Sequence, residues 1–250
     1  MSSIQTLRVD CGGRAAEVEI VGEGPDVVIV GTAAPMAFTR PAAVALAARG
    51  FRVVNFDYGS DGDDPEPRTA LAQVADVYDV LVAAAVETCV PVGVSRGGMT
   101  AFGLAAHHPE VVRRLVLVAP VAGWSDVINV VGPVPDPDPD DPDSVLKFVF
   151  TDGFLEASRE AAWGLLTAAP GTVDRVARED EVPFTEDLRV RCPTLIVVGG
   201  GDKVVAAEHP ARYLAEIEGS ELLEVPDASH GWIMEDPEAF AAAVGPFMAG

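Results

Sequence analysis

The sequence predicts an α/β fold in which a mostly parallel sheet is flanked by helices on both faces. Short runs rich in valine, isoleucine and leucine recur along the chain, and segments with helical periodicity separate them. Strands that alternate with helices in this way are typical of a parallel sheet. The eight predicted strands span residues 4–10, 15–21, 26–30, 51–56, 90–94, 112–119, 195–198 and 221–225.

Residues between the predicted strands indicate where the elements begin and end. The Cys-Gly-Gly-Arg sequence at 11–14 predicts a hairpin between the first two strands. Thr39 is a candidate N-cap for a helix that ends at Gly50, and Asp236 followed by Pro237 is a typical start for the last helix. Further helices are expected over residues 69–87, 99–107 and 208–217.

The alternation lapses between residues 124 and 188, where no buried strand is predicted. We expect a helical cap there, inserted after the sixth strand, while residues 1–123 and 189–250 form the core. A flexible loop is expected at 133–143, because its alternating prolines and aspartates favour an extended, solvated chain. The aspartates of this loop have calcium-loop spacing, but the required glycine and final acid are missing, so no metal site is predicted. Helical patterns follow at 144–150, 154–168 and 172–178.

Composition favours an enzyme acting on a small molecule over a nucleic-acid or membrane-surface protein. The formal net charge of the 250 residues is −22, whereas nucleic acids and anionic membranes select basic surfaces. The three cysteines are odd in number and contain no Cys-x-x-Cys pair, which predicts free thiols in a reducing compartment. Since the sequence has neither a signal peptide pattern nor an apolar run of roughly 18 residues, we expect a cytoplasmic protein.

The sequence Gly93-Val94-Ser95-Arg96-Gly97 follows a predicted strand and precedes a predicted helix. In that context Gly-x-Ser-x-Gly predicts a strained turn that exposes the serine hydroxyl, and a plain glycine-rich turn is the alternative. The backbone N–H of Arg96 would open the helix and point the same way as the hydroxyl. One turn would then supply a nucleophile and half of an oxyanion hole.

A serine hydroxyl needs a base, and the base needs an orienting acid. Asp202 and His230 are the candidates, because each follows one of the last two predicted strands and the carboxyl ends of parallel strands converge. Asp126 is an alternative acid. The other histidines, His107, His108 and His209, are interpreted as structural or solvated.

These motifs resemble those of the α/β-hydrolase superfamily, over about residues 4–247. The resemblance implies that Ser95 is the nucleophile, His230 the general base and then acid, and Asp202 the carboxylate that orients the imidazole. It also implies an oxyanion hole at the backbone N–H groups of Thr32 and Arg96. The segments that carry it are the Gly93-x-Ser95-x-Gly97-Gly98 turn, the stretch from His108-Pro109-Glu110, the stretch from Cys192-Pro193 to Asp202, and His230-x-x-x-x-Glu235-x-Pro237.

The chain departs from the superfamily pattern at three places. Val30-Gly31 stands where many members have His-Gly, which leaves Ala33 as an alternative oxyanion donor. The loop from Asp57 to Gly62 lacks the usual arginine. Arginine beside the nucleophile is also uncommon: Arg96 would either clamp a substrate anion, or pair with an acid or point to solvent, which is the interpretation we favour.

Aromatic residues in the insert predict an apolar lining for the substrate pocket, although some of them must pack the cap's own core. The candidate substrate-binding residues are Ala33, Trp124, Phe148, Phe154 and Trp163.

The resemblance implies an eight-stranded α/β-hydrolase sheet and a serine hydrolase that cleaves an ester, thioester or lactone of a small, largely apolar substrate. Activity is expected to rise through about pH 6–7, where an ordinary histidine loses its proton. No metal or organic cofactor is implied, and a homodimer is compatible with the sequence. The alternatives are a biosynthetic acyltransferase, thioesterase, lyase or cyclase on the same triad, and a ligand-binding protein without turnover.

Overall fold

The structure is a computed structural model that describes residues 4–31, 36–58, 69–123, 141, 143–168, 182, 184–185 and 187–250. Its eight strands form one sheet in the order β1-β2-β4-β3-β5-β6-β7-β8. The strands are β1 (Gln5–Asp10), β2 (Ala15–Val21), β3 (Asp26–Val30), β4 (Arg52–Tyr58), β5 (Cys89–Val94), β6 (Leu115–Val118), β7 (Thr194–Gly199) and β8 (Glu221–Val225).

The sheet is mostly parallel, as the sequence predicts. Only β2 is antiparallel to its neighbours, β1 and β4, and every other pair from β4 to β8 is parallel. The predicted hairpin between β1 and β2 is confirmed: the Cys11 N–H donates to the Arg14 carbonyl over 2.7 Å, and Gly12 and Gly13 both have positive φ. Strands β5 and β6 are buried along their whole length, which explains their uninterrupted apolar runs.

Helices cover both faces of the sheet. Helices α2, α3 and α6 contribute to one apolar core, whereas α1, α4 and α8 contribute to the other. The described helices are α1 (Met36–Ala48), α2 (Val74–Ala83), α3 (Gly97–His107), α4 (Leu146–Val149), α5 (Asp152–Ala168), α6 (Glu208–Glu216), α7 (Trp232–Glu235) and α8 (Pro237–Ala249).

The N-cap predicted at Thr39 is wrong, because α1 begins earlier, at Met36. The Met36 N–H donates to the Asp57 carboxylate over 3.1 Å, so a residue near the carboxyl end of β4 accepts the first backbone N–H of the helix. The Thr39 hydroxyl instead lies 2.8 Å from Asn55 Oδ1 inside the protein. The predicted helix end at Gly50 agrees with its φ of 88°.

Two other predicted elements are too long. The helix expected over 69–87 is confined to Val74–Ala83, and Ala85, with a φ of 54°, takes the chain out of the helix. The strand expected over 112–119 begins at Leu115, since Val112 forms only an isolated bridge to Cys89. The last helix begins at Pro237 as predicted, and the Asp236 side chain accepts from the N–H of Ala239.

The described part of the insert consists mainly of α4 and α5, which match two of the three helical patterns expected there. Helix α5 is kinked at Ser158, whose φ is −141°. The pattern at 172–178 and most of the loop at 133–143 lie outside the described residues. Within the described ranges, no helix is long and apolar enough to cross a membrane, and no cluster of three or more His, Cys, Asp or Glu could hold a metal ion.

Candidate active site

Ser95 occupies a sharp turn between β5 and α3. Its φ of 53° lies in the left-handed region, which is strained for a residue with a side chain. Such a conformation persists only where the surrounding structure enforces it. The backbone on both sides of the turn is held, because the Ser95 N–H donates to Val118 over 2.9 Å and its carbonyl accepts from Gly98 over 3.0 Å. The half-buried serine is therefore presented at the carboxyl end of β5 by a fixed backbone.

The glycines of this turn are required by close packing. A Cβ on Gly97 would overlap the carbonyl oxygen of Val30 at the end of β3. A Cβ on Gly93 would lie 2.7 Å from Cβ of Ala101 on the following helix. The Gly-x-Ser-x-Gly pattern thus lets β5 and α3 approach each other and the neighbouring strand.

The side chain of Arg96 turns into the protein interior. It is fully buried, and its Nη1 donates to Oε1 of Gln73 over 2.7 Å. The expectation that this side chain pairs with an acid or points to solvent is wrong in its second alternative, because none of the side chain is exposed. Full burial also leaves the guanidinium no surface that a bound substrate could reach.

Asp202 and His230 are joined as predicted. Oδ2 of Asp202 lies 3.0 Å from Nδ1 of His230, and the two side chains are only 7% and 11% exposed. Oδ1 of Asp202 accepts from the backbone N–H groups of Val204 over 2.7 Å and Val205 over 3.0 Å. Both carboxylate oxygens therefore have assigned partners.

Opposing effects act on the pKa of Asp202. Burial alone raises it, but the hydrogen bond and charge of His230, with the two backbone N–H groups, outweigh burial and hold the pKa below its ordinary value. The carboxylate is thus maintained as an anion beside the imidazole.

The turn of Ser95 and the Asp202–His230 pair share one edge of the sheet. Strands β5, β7 and β8 run parallel, and the three residues follow their carboxyl ends. Between the described atoms, no hydrogen bond within 3.5 Å joins the Ser95 hydroxyl to His230. Such contacts are often long in unliganded enzymes and tighten when substrate binds.

The sequence shows Glu235 only as part of the motif after His230, and the structure places it at the centre of a hydrogen-bond network. Its carboxylate accepts from the backbone N–H of Thr151 over 2.7 Å, the hydroxyl of Thr151 over 3.0 Å and the hydroxyl of Ser229 over 2.8 Å. Its position five residues after His230 is the sequence signal that could have identified it.

Three of the predicted aromatic residues are described, and all are half-buried. Phe154 stacks on Phe150 with ring centroids 5.1 Å apart, and the indole N–H of Trp163 donates to Asp143 over 2.9 Å. Phe148 lies in α4. The proposed residues Thr32, Ala33, Trp124 and Asp126 lie outside the described part of the chain.

The other three histidines either contact neighbouring residues within the fold or are exposed. His209 is buried at the start of α6, and its Nδ1 accepts from the N–H of Ala122 over 3.1 Å. His108 stacks on Tyr78 with ring centroids 4.4 Å apart, and His107 is exposed.

The fold, with a serine turn, an acid and a histidine at the carboxyl edge of the sheet, defines the class of α/β hydrolases. The sequence profile of the alpha/beta hydrolase family matches residues 22–243, and the chain belongs to that family.

Among known proteins, the chain is 25% identical to 2-hydroxy-6-oxo-6-(2'-aminophenyl)hexa-2,4-dienoic acid hydrolase of Metapseudomonas resinovorans, over 96% of this chain and 90% of that one. It is 26% identical to a hydrolase of known structure from Pseudomonas aeruginosa PA01, with a TM-score of 0.80 over 99% of both chains. It also superposes on the enol-lactonase from Burkholderia xenovorans LB400 with a TM-score of 0.77 at 22% identity, over 98% of this chain and 100% of that one. The protein is therefore an enzyme of the hydrolase type.

Proposed function

We propose that this hydrolase cleaves an ester, thioester or lactone bond of a small, largely apolar substrate through an acyl-enzyme on Ser95. One observation carries the proposal. The strained turn that presents Ser95 lies on the same sheet edge as the Asp202–His230 pair. Asp202 binds Nδ1 of His230, so the other ring nitrogen, Nε2, is not used by Asp202. This is the arrangement that acyl transfer by a serine requires.

In the proposed first half-reaction, His230 Nε2 takes the hydroxyl proton of Ser95 while Oγ attacks the substrate carbonyl. The tetrahedral oxyanion is stabilised by the backbone N–H groups of Arg96 and Thr32, which act where negative charge develops. The C–O or C–S bond then breaks, and the proton on His230 passes to the leaving group. Asp202 keeps the imidazole oriented and stabilises its positive charge.

In the second half-reaction, His230 takes a proton from a water molecule that attacks the acyl carbonyl. Collapse of the second tetrahedral intermediate releases the acid and returns the proton to Ser95. The net reaction consumes one water for each bond cleaved, so the proposal needs no oxidant, reductant or group donor.

An uncharged substrate agrees best with the described residues. The relative from Metapseudomonas resinovorans is named for a carboxylic acid substrate. Arg96, the cation adjacent to the serine in this chain, is fully buried and bonded to Gln73, so it offers no clamp for a substrate carboxylate. The half-buried aromatic side chains of Phe148, Phe154 and Trp163 are candidates for apolar contacts.

A panel of p-nitrophenyl esters with short and long acyl chains, one lactone and one thioester tests the proposal. We expect wild type to hydrolyse at least one class, and Ser95→Ala and His230→Ala to lose that activity. Ser220→Ala is the matched control, because Ser220 lies in the turn before β8. Equal rates in wild type and Ser95→Ala would overturn the proposal.

The alternatives are separated by two additions to the panel. Faster release of p-nitrophenol with added methanol, together with methyl ester formation in preference to acid, would identify an acyltransferase. Stoichiometric binding of an ester that remains intact would identify a binding protein.

A further inference from the structure

We propose that Glu235 is a positioning residue that fastens the loop carrying His230 to the start of the insert helix α5. The inference rests on the proposed function, because it assigns to Glu235 an effect on catalysis through His230. Glu235 does not contact His230 directly in the described structure, so it acts through the backbone on either side of the histidine.

The loop is held on both sides of the histidine. Ser229 donates its hydroxyl to Glu235 over 2.8 Å, and the same hydroxyl accepts from the N–H of Gly231 over 3.0 Å. The hydroxyl of Ser229 thus links the residues before and after His230 to one carboxylate. This fixes the backbone from which the imidazole reaches Asp202.

The other side of the carboxylate belongs to the insert. Glu235 accepts from both the N–H and the hydroxyl of Thr151, and that hydroxyl also accepts from the N–H of Phe154 over 3.3 Å. Thr151 therefore caps α5 while it binds Glu235. The half-buried carboxylate of Glu235 thus accepts from three donors. A carboxylate can do this because it has two acceptor oxygens and needs no donor of its own.

Helix α4 adds two contacts to the same assembly, and the first is made by the Gly231 N–H that also donates to Ser229. The N–H of Gly231 donates to the carbonyl of Val149 over 2.7 Å, and Nζ of Lys203 donates to the carbonyl of Lys147 over 3.2 Å. Gly231 follows His230 and Lys203 follows Asp202, so α4 touches the loop of the base and the loop of the acid. The insert and the two loops consequently form one connected unit, in which the Glu235 carboxylate joins the insert to the loop of His230.

Loss of this bridge should slow the chemistry more than it weakens substrate binding, because a displaced base lowers the rate while the pocket remains. We expect Glu235→Ala to lower kcat by about tenfold to a hundredfold, with KM unchanged within about twofold. Glu235→Gln should restore most of kcat, because its oxygen can still accept from Thr151 N–H and Ser229. Ser229→Ala removes one of the three bonds and should lower kcat less than Glu235→Ala.

The experiment measures kcat, KM and melting temperature for these variants of the full chain with the best p-nitrophenyl ester. Glu238→Gln, a carboxylate-to-amide change at a side chain that is 70% exposed, is the control. Thr151→Val should lower kcat in wild type but cause no further loss in Glu235→Ala, because Thr151 acts through Glu235. If Glu235→Ala does not fold, Ser229→Ala and Thr151→Val carry the same test.

Several results would overturn the inference. They are wild-type kcat in Glu235→Ala, a rise in KM at constant kcat, or a fall in kcat that only follows the folded fraction. Additive losses for Thr151→Val and Glu235→Ala would also contradict it. An active wild type with these results refutes the role of Glu235 alone, whereas a wild type that turns over no ester refutes the proposed function as well.

Discussion

Replacement of Asp202 by asparagine tests whether its carboxylate determines which nitrogen of His230 carries the proton. Oδ1 accepts two backbone N–H groups, from Val204 and Val205, while Oδ2 faces Nδ1 of His230. Only an oxygen can satisfy the two N–H groups, so the asparagine would keep Oδ1 there and turn its Nδ2 towards the histidine.

The substituted amide would then donate to Nδ1 of His230 and leave the ring proton on Nε2. An imidazole protonated at Nε2 cannot accept the hydroxyl proton of Ser95. Reversing the amide would leave two backbone donors without their acceptor, at about 1–3 kcal/mol each. In the serine-protease triad the same substitution lowers kcat about 10⁴-fold, which corresponds to about 5 kcal/mol of transition-state stabilisation.

We therefore expect kcat of Asp202→Asn to fall by about 10³-fold to 10⁴-fold on the best p-nitrophenyl ester, in a protein that still folds. Asp227→Asn is the matched control, because Asp227 is exposed, lies in the loop before His230 and has a φ of 59° that asparagine tolerates. A folded Asp202→Asn enzyme that keeps more than about a tenth of wild-type kcat would refute this account of the tautomer.

Three further predictions concern stability. Because the pKa of Asp202 is lowered in the folded protein, its charge stabilises the fold above the unfolded value of about 3.9, and this contribution is lost as the pH falls further through the folded pKa. The difference in free energy of unfolding between wild type and Asp202→Asn, from urea titrations, should therefore shrink below about pH 4; a constant difference would contradict it. Ser95→Gly should be more stable than Ser95→Ala by about 1 kcal/mol, because glycine relieves the positive φ of 53°; equal melting temperatures would argue against strain at the turn. A Cβ on Gly231 would lie 2.5 Å from the ring of Phe150, so Gly231→Ala should lower stability by about 1–3 kcal/mol and should also lower kcat. Gly219→Ala is the control for the loss of a glycine, because no atom lies within 4 Å of its Cβ. The φ of 73° at Gly219 adds strain of its own to that control.

Sequence periodicity predicted the sheet well because the central strands are buried on both faces. The runs at β5 and β6 contain no polar side chain, so their apolar character alone identifies them. The pairing of Asp202 with His230 followed from topology, since the carboxyl ends of neighbouring parallel strands meet at one edge.

The features that the sequence did not predict depend on partners distant in the chain. Helix α1 begins at Met36 because Asp57, 21 residues away, accepts the N–H of Met36. The Arg96 side chain is buried and donates to Gln73, 23 residues away. The role of Glu235 in the network likewise needs Thr151, 84 residues away.

The role of Ser95 as a nucleophile activated by His230 underlies every step of the proposed mechanism. Its most direct test is treatment of wild type, Ser95→Ala and His230→Ala with a fluorophosphonate, followed by intact-mass analysis and peptide mapping. We expect one phosphonyl adduct on wild type, mapped to Ser95, and none on either variant. An unlabelled wild type, or an adduct that persists in Ser95→Ala, would contradict it.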